Sequence, residues 1–199
     1  MSLTLAVRPT LIDRVIPRSL AADIALVTAG AALTGIAAQI QIPASPVPFT
    51  FQTLVVLLVG ATLGSVRGAL SMFLYAILGV AGLPVFAPLS DGSHASGLAA
   101  ITGATFGFVV GFIAASAVVG FLAERNWSSH AVKMFVSYAI GTVVIYAFGI
   151  PVLASVVAKG DLAVAAGFMA PYLVWDTVKA IAAAALLPLA WKGAAKLKG

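Results

Sequence analysis

Four stretches of this chain, Leu20–Ile40, Gly97–Ala123, Ala131–Ser155 and Gly167–Leu189, are nearly free of charged residues. Each has about twenty residues or more, enough for a helix to cross the ~30 Å hydrocarbon core of a bilayer. A soluble fold would have to hide all four from water. The composition does not provide the polar surface for that: 62% of the 199 residues are hydrophobic and 9% are charged, where a soluble domain carries roughly a quarter charged residues. The chain reads as an all-α, polytopic membrane protein. At this length it makes a single membrane domain over residues 1–199.

Two shorter apolar runs, Phe51–Leu63 and Arg67–Ala81, follow the first long one and flank a turn at Gly64–Arg67. They read as two short spans or as one re-entrant hairpin, and either returns the chain to the same side. Counted as spans, they give six transmembrane helices: a segment 1–18, a bundle 19–191 and a tail 192–199. Leu20–Ile40 is too long for the apolar core of a signal peptide and lacks a convincing cleavage site, so it reads as a retained first span.

Charge then orients the bundle. With six spans, Arg8, Arg14, Arg18, Arg67, Arg125, Lys133, Lys192, Lys196 and Lys198 fall on one side and only Lys159 on the other. Positive residues are retained on the inside, so both termini are expected in the cytoplasm. The excess of basic residues therefore speaks of orientation. No basic run alternates with aromatics, and nucleic-acid binding has no support.

Within the last run, PYLVWDTVKAIAAAA (Pro171–Ala185), stand Asp176 and Lys179. Three residues apart on a helix, they share a face and reach each other. Charges inside a membrane face a protein interior or a wet cavity and usually serve a function; the alternative is an ion pair that locks two helices. Counting the span from Gly167 puts Asp176 roughly 10–15 Å below the outer entry. Above it comes Gln39–Phe51, where Pro43, Pro46 and Pro48 forbid a regular helix. Such backbone must be covered by protein or open to water. The expected site is thus a small outward-facing pocket holding Asp176, Lys179, the Gln52 amide and the hydroxyls of Thr50 and Thr105 among aromatic walls. Such a pocket suits a small organic ligand with an apolar body and a few polar groups.

Other chemistry is poorly supported. The chain has no cysteine, so disulfides and thiolate metal sites are excluded. His94 and His130 fall on opposite sides of the membrane and cannot share a metal. There is no HExxH, GxSxG or GxxxxGK[ST] pattern, so any ATPase driving transport is a separate chain. Gly103, Gly107, Gly111 and Gly120 along the fourth span let backbone come close to a ligand or to another helix, and read first as helix-packing positions. Ala21, Ala25 and Ala29 form a smooth stripe on the first span, suited either to packing inside the bundle or to docking a partner helix.

In order along the chain, PVPFTFQ (Pro46–Gln52), LGSVRGALS (Leu63–Ser71), GLPVF (Gly82–Phe86) and PYLVWDTVKA (Pro171–Ala180) resemble the BioY family. These are the biotin-binding S components of energy-coupling-factor (ECF) vitamin transporters. The resemblance implies a six-helix S-component fold in a prokaryotic plasma membrane and a role in biotin uptake. It implies that Asp176 and Lys179 contact biotin near the outer face, with Thr50, Gln52 and Tyr172 beside them and Asp91, Ser93 and Thr105 as loop contacts. It implies partners: a transmembrane coupling subunit, docked on the Ala21/Ala25/Ala29 face, and two ATPases that alone use ATP. No cofactor and no enzymatic activity is implied, and the need for the ATPase module stays open. Three features depart from the family pattern: PLSDGSHASG in place of a glycine-rich loop, GATFGF at Gly103–Phe108, and Trp175 where many members have a small residue. Another vitamin as ligand, or an intramembrane enzyme or channel, are the competing readings.

The basic-residue asymmetry makes the topology testable. Reporter fusions after residues 18, 65, 127 and 192 are expected to read cytoplasmic, and those near 44, 91 and 160 external. An external C-terminus overturns the six-span arrangement.

Overall fold

A computed structural model of the chain describes residues 10–89 and 91–196. Arg8 and Lys198, which enter the charge asymmetry, lie outside the described residues. Among the described residues, four helices are long and apolar enough to span a membrane: α1 (Leu20–Gln39), α5 (Phe106–Ala123), α6 (Ala131–Val157) and α8 (Tyr172–Lys196). Two shorter apolar helices, α2 (Gln52–Leu63) and α3 (Ser65–Val80), lie between α1 and α5. They are separate helices of about 18 and 24 Å. Two small helices, α4 (Gly97–Ile101) and α7 (Leu162–Met169), precede α5 and α8. Helix α5 is central, packing on α2, α3 and α6, while α1 lies on α3 and α2, and α8 on α6 and α2.

The boundaries differ from the sequence reading in several places. Residues 65–67 are helical: α3 starts at Ser65, directly after Gly64, whose φ of +92° favours glycine. The fourth run is broken at 102–105 into α4 and α5. The sixth is broken at 170–171, because Pro171 has no N–H with which to continue α7. Part of the expected loop 156–166 is helix α7, whose first turn is capped by Asp161: its Oδ1 accepts from Ala163 N (2.8 Å) and Val164 N (3.1 Å). Pro151 and Pro188 stop neither α6 nor α8; intramembrane helices tolerate proline where neighbours re-satisfy the backbone. The expected tail 192–199 is therefore helical as far as Lys196.

Gln41–Ile42 (β1) and Phe49–Thr50 (β2) pair antiparallel, with Gln41 opposite Thr50 and Ile42 opposite Phe49. The proline segment is the turn of this hairpin, with a cis Ser45–Pro46 bond. The core between the helices is built from Val56, Leu57, Met72, Tyr75, Val119, Met134, Tyr138 and Ile145. Outward faces are apolar too: Ile24, Leu33 and Ile36 on α1, Val132 and Val143 on α6, and Val174, Val178 and Ile181 on α8 are exposed. Such surfaces suit lipid. The stripe Ala21, Ala25 and Ala29 is likewise exposed, so it takes no part in packing within this chain.

Small residues let the central helices approach. A Cβ on Gly60 of α2 would sit 2.5 Å from the Ser116 carbonyl oxygen of α5, and one on Gly107 of α5 would sit 2.6 Å from the Phe148 carbonyl oxygen of α6. The connections gather at two ends. At one, Glu124 accepts from Ser65 N and Oγ (both 2.7 Å). Trp191 Nε1 donates to Ser128 Oγ (3.0 Å), and Arg14 lies over the Trp191 ring. Here too Asp13 pairs with Arg18 (2.7 Å) and Arg67 (2.8 Å), and Arg67 with Asp23 (2.7 Å). The hairpin, the 82–96 loop, α4, α7 and the start of α8 lie at the opposite ends of the same helices.

Burial alone would raise the Asp13 pKa, but hydrogen bonds from Arg18, Arg67 and Thr10 outweigh it and hold the carboxyl well below the usual range. A depressed folded-state pKa adds stability that is complete above the unfolded value of about 4 and is lost as pH falls towards the folded one. Asp13→Asn is expected to cost about 1–2 kcal/mol, mostly through Arg67, since the exposed Arg18 bridge is screened. Thermal unfolding in detergent checks it: the gap between wild type and variant should narrow as pH drops below about 4.

Candidate functional site

The hairpin, the 82–96 loop, α4 and the upper parts of α2, α3, α5, α6 and α8 enclose a cavity of about 680 Å³. Aromatic rings form much of its wall: Tyr75, Phe86, Phe106, Phe108, Phe112, Tyr146 and Tyr172. The hairpin is held to α8 by Tyr172, whose ring stacks on Phe49 at 3.8 Å and whose hydroxyl donates to the Val47 carbonyl.

Asp176 and Lys179 meet in this wall, Nζ to Oδ1 3.2 Å, with little exposure of either side chain. Because α8 starts at Tyr172, Asp176 is four residues from its start, about 6 Å, and so shallower within its helix than a span counted from Gly167 implies. The pair is saturated by its neighbours. Lys179 Nζ donates to the Thr50 carbonyl (2.9 Å), Thr53 Oγ1 (2.7 Å) and Asp176, which uses all three of its N–H groups. Asp176 also accepts from Tyr146 Oη (2.5 Å) and Thr53 Oγ1 (3.3 Å). A carboxylate accepts about four hydrogen bonds, so one position is left for a ligand N–H or O–H.

Gln52 is buried in the wall. Its Nε2 donates to Tyr75 Oη (2.6 Å), and its Oε1 accepts from Thr50 Oγ1 (3.1 Å). Gln41 Nε2 donates to the Pro88 carbonyl (3.2 Å), while its Oε1 is buried with no partner among the described residues.

Of the residues proposed from sequence, the structure brings Asp176, Lys179, Thr50, Gln52, Tyr172, Ser93 and Thr105 to one cavity. Asp91 is not in its wall: it is exposed, and its Oδ1 accepts from Ser93 Oγ (2.6 Å) and Ser93 N (2.9 Å). Those two bonds hold its pKa below the usual carboxylate range. Trp175 also stays out of the wall; it is half exposed on the outer surface of α8.

The BioY family model matches residues 9–196. The chain belongs to the BioY family. The biotin transporter BioY of Thermotoga maritima is 37% identical over 153 residues, covering 77% of this chain and 86% of its own. The biotin transporter BioY of Rhizobium etli is 38% identical over 159 residues, 76% of this chain and 82% of its own. The crystal structure of the S-component for biotin from an ECF-type ABC transporter shares the fold, with a TM-score of 0.71 over 86% of this chain and 92% of that one at 20% identity.

Among the polar wall residues of this BioY chain that the sequence reading did not place in the site are Thr53, Tyr146, Gln41 and His94. Thr53 and Tyr146 sit in apolar runs as unremarkable members, and only the fold carries them 123 and 30 positions along the chain to Asp176. Gln41 lies within the proline segment already marked as non-helical, so its place was within reach of that reading. His94 is the fourth. Its ring Nδ1 sits 2.8 Å from the Phe86 carbonyl at the cavity wall, where the sequence offers only a polar loop residue.

Proposed function

We propose that this chain captures biotin in the cavity and delivers it as the substrate-binding subunit of an ECF-type transporter. One observation carries the reading: an ion pair saturated by hydrogen bonds, with one acceptor position to spare, forms part of the wall of a cavity in a BioY-family chain. The chemistry of biotin suits that wall. Its ureido N–H groups are donors for Asp176, and its apolar bicycle fits between aromatic side chains. A volume of about 680 Å³ is within the usual range for ligands of this size. The relatives named biotin transporters support the same ligand.

The bundle crosses the membrane six times, α2 and α3 included, with both termini in the cytoplasm and the cavity at the outer face. Arg14, Arg18, Arg67 and Arg125 at the end remote from the cavity support that orientation. The exposed Ala21/Ala25/Ala29 stripe takes the transmembrane coupling subunit, and two ATPases complete the complex.

Titration of purified protein with biotin tests the site. A hydrogen bond to a charged group contributes about 1.5–3 kcal/mol, so Asp176→Asn is expected to weaken biotin binding roughly ten- to a hundredfold, and Lys179→Ala to weaken it through Asp176, which loses its charge partner. At one biotin concentration, biotin should raise the melting temperature of the wild type by more than that of either variant. Full affinity in both variants removes the pair from the site. The docking face has its own test: Ala25→Leu should weaken assembly with a coupling subunit while biotin binding stays intact. Normal assembly in that variant would place the contact elsewhere.

A further inference from the structure

An anion that leaves water for a cavity of low dielectric needs a compensating positive charge. In this cavity the fixed charges cancel, since Asp176 and Lys179 are the lining residues of permanent charge and they pair with each other. Lys179 has no N–H to spare, all three being taken by Thr50, Thr53 and Asp176. The lining residue that can still become positive is His94. Its ring is already oriented. Nδ1 lies 2.8 Å from the Phe86 carbonyl, which only accepts, so Nδ1 carries a hydrogen. Gln39 Nε2 donates to the same carbonyl at 3.2 Å and helps to fix it in place. Nε2 has no hydrogen-bond partner among the described residues. It is a lone pair on the neutral ring and an N–H donor on the imidazolium.

Resting on the biotin reading above, we propose that His94 recognises the carboxylate tail of the ligand. The imidazolium form of the ring donates its Nε2 N–H to the carboxylate, so binding draws a proton from solvent wherever the free ring is neutral. The ureido ring is then left to the Asp176 end of the cavity. The other titratable residues facing this space are Tyr75 on α3, Tyr146 on α6, and Tyr172, Asp176 and Lys179 on α8. On the loop that carries His94, Asp91 is turned to Ser93 and is not in the wall. Phenols do not ionise near neutral pH, whereas histidine changes charge there.

The test is calorimetric titration of the full chain in detergent with biotin and with biotinamide, whose tail is neutral. Each is run in buffers of different ionisation enthalpy and between about pH 6 and 8. Wild type should bind biotin roughly tenfold tighter than biotinamide. It should take up protons with biotin and none with biotinamide, and lose biotin affinity as pH rises. His94→Gln should bring biotin down to the level of biotinamide, abolish the uptake and flatten the pH profile. Its unchanged binding of biotinamide would show that the cavity is intact. If wild type binds biotin without proton uptake, or if His94→Gln affects both ligands alike or neither, the tail lies in water and the proposal is overturned. If wild type binds neither ligand, the biotin reading itself fails and takes the proposal with it.

Discussion

Two opposite charges within a membrane helix are tolerable only where hydrogen bonds replace the water they lose. Here those bonds come from three other elements: Tyr146 on α6, Thr53 on α2 and the Thr50 carbonyl on β2. Satisfying the pair therefore fixes the hairpin, α2 and α6 around α8, and the cavity is the space these elements leave between them. The same saturation limits what the pair can offer. It has one acceptor position and no donor, so recognition of a ligand's acceptor groups falls to other wall residues or to an exchange of bonds at Lys179.

A cavity at this depth requires irregular backbone, and irregular backbone must find partners for its polar groups. The 82–89 segment illustrates how. Pro84 and Pro88 have no N–H and cannot enter a regular ladder. The carbonyls of Pro84, Phe86 and Pro88 are taken by side-chain amides, Gln39 reaching the first two at 3.3 and 3.2 Å and Gln41 the third at 3.2 Å. The C-terminal end of α1 thus holds the loop that carries His94. The break at 102–105 belongs to the same pattern, with Gly103, Ala104 and Thr105 lining the cavity.

How much of this was legible depended on how local the cause was. The long spans follow from apolar length, and the Asp176–Lys179 contact from a spacing of three on one helix, so both could be read directly. The Asp161 cap and Pro171 are local signals as well. They were hidden because LAVAAGFM runs on into the apolar stretch behind it, and hydropathy alone does not divide the two. Asp91 entered the site only through the family resemblance; its binding to Ser93 two residues on is a local turn preference. Thr53 and Tyr146 could not be found this way: nothing near them in sequence marks them as partners of a residue on α8.

Packing remote from the ligand also sets the site's geometry. Gly111 of α5 lies against Ile145 of α6, where a Cβ would sit 2.9 Å from the Ile145 carbonyl oxygen. The next residue, Tyr146, gives Asp176 its shortest hydrogen bond. A side chain at 111 would push α6 away from α5, and a shift of even 1 Å would carry the Tyr146 hydroxyl beyond good bonding distance. Asp176 would then keep its charge and lose a donor, an arrangement that a low-dielectric wall penalises. The small residues along α5 read from the sequence as packing positions, and that is what they are. Through Tyr146, Gly111 also helps to hold the carboxylate in place.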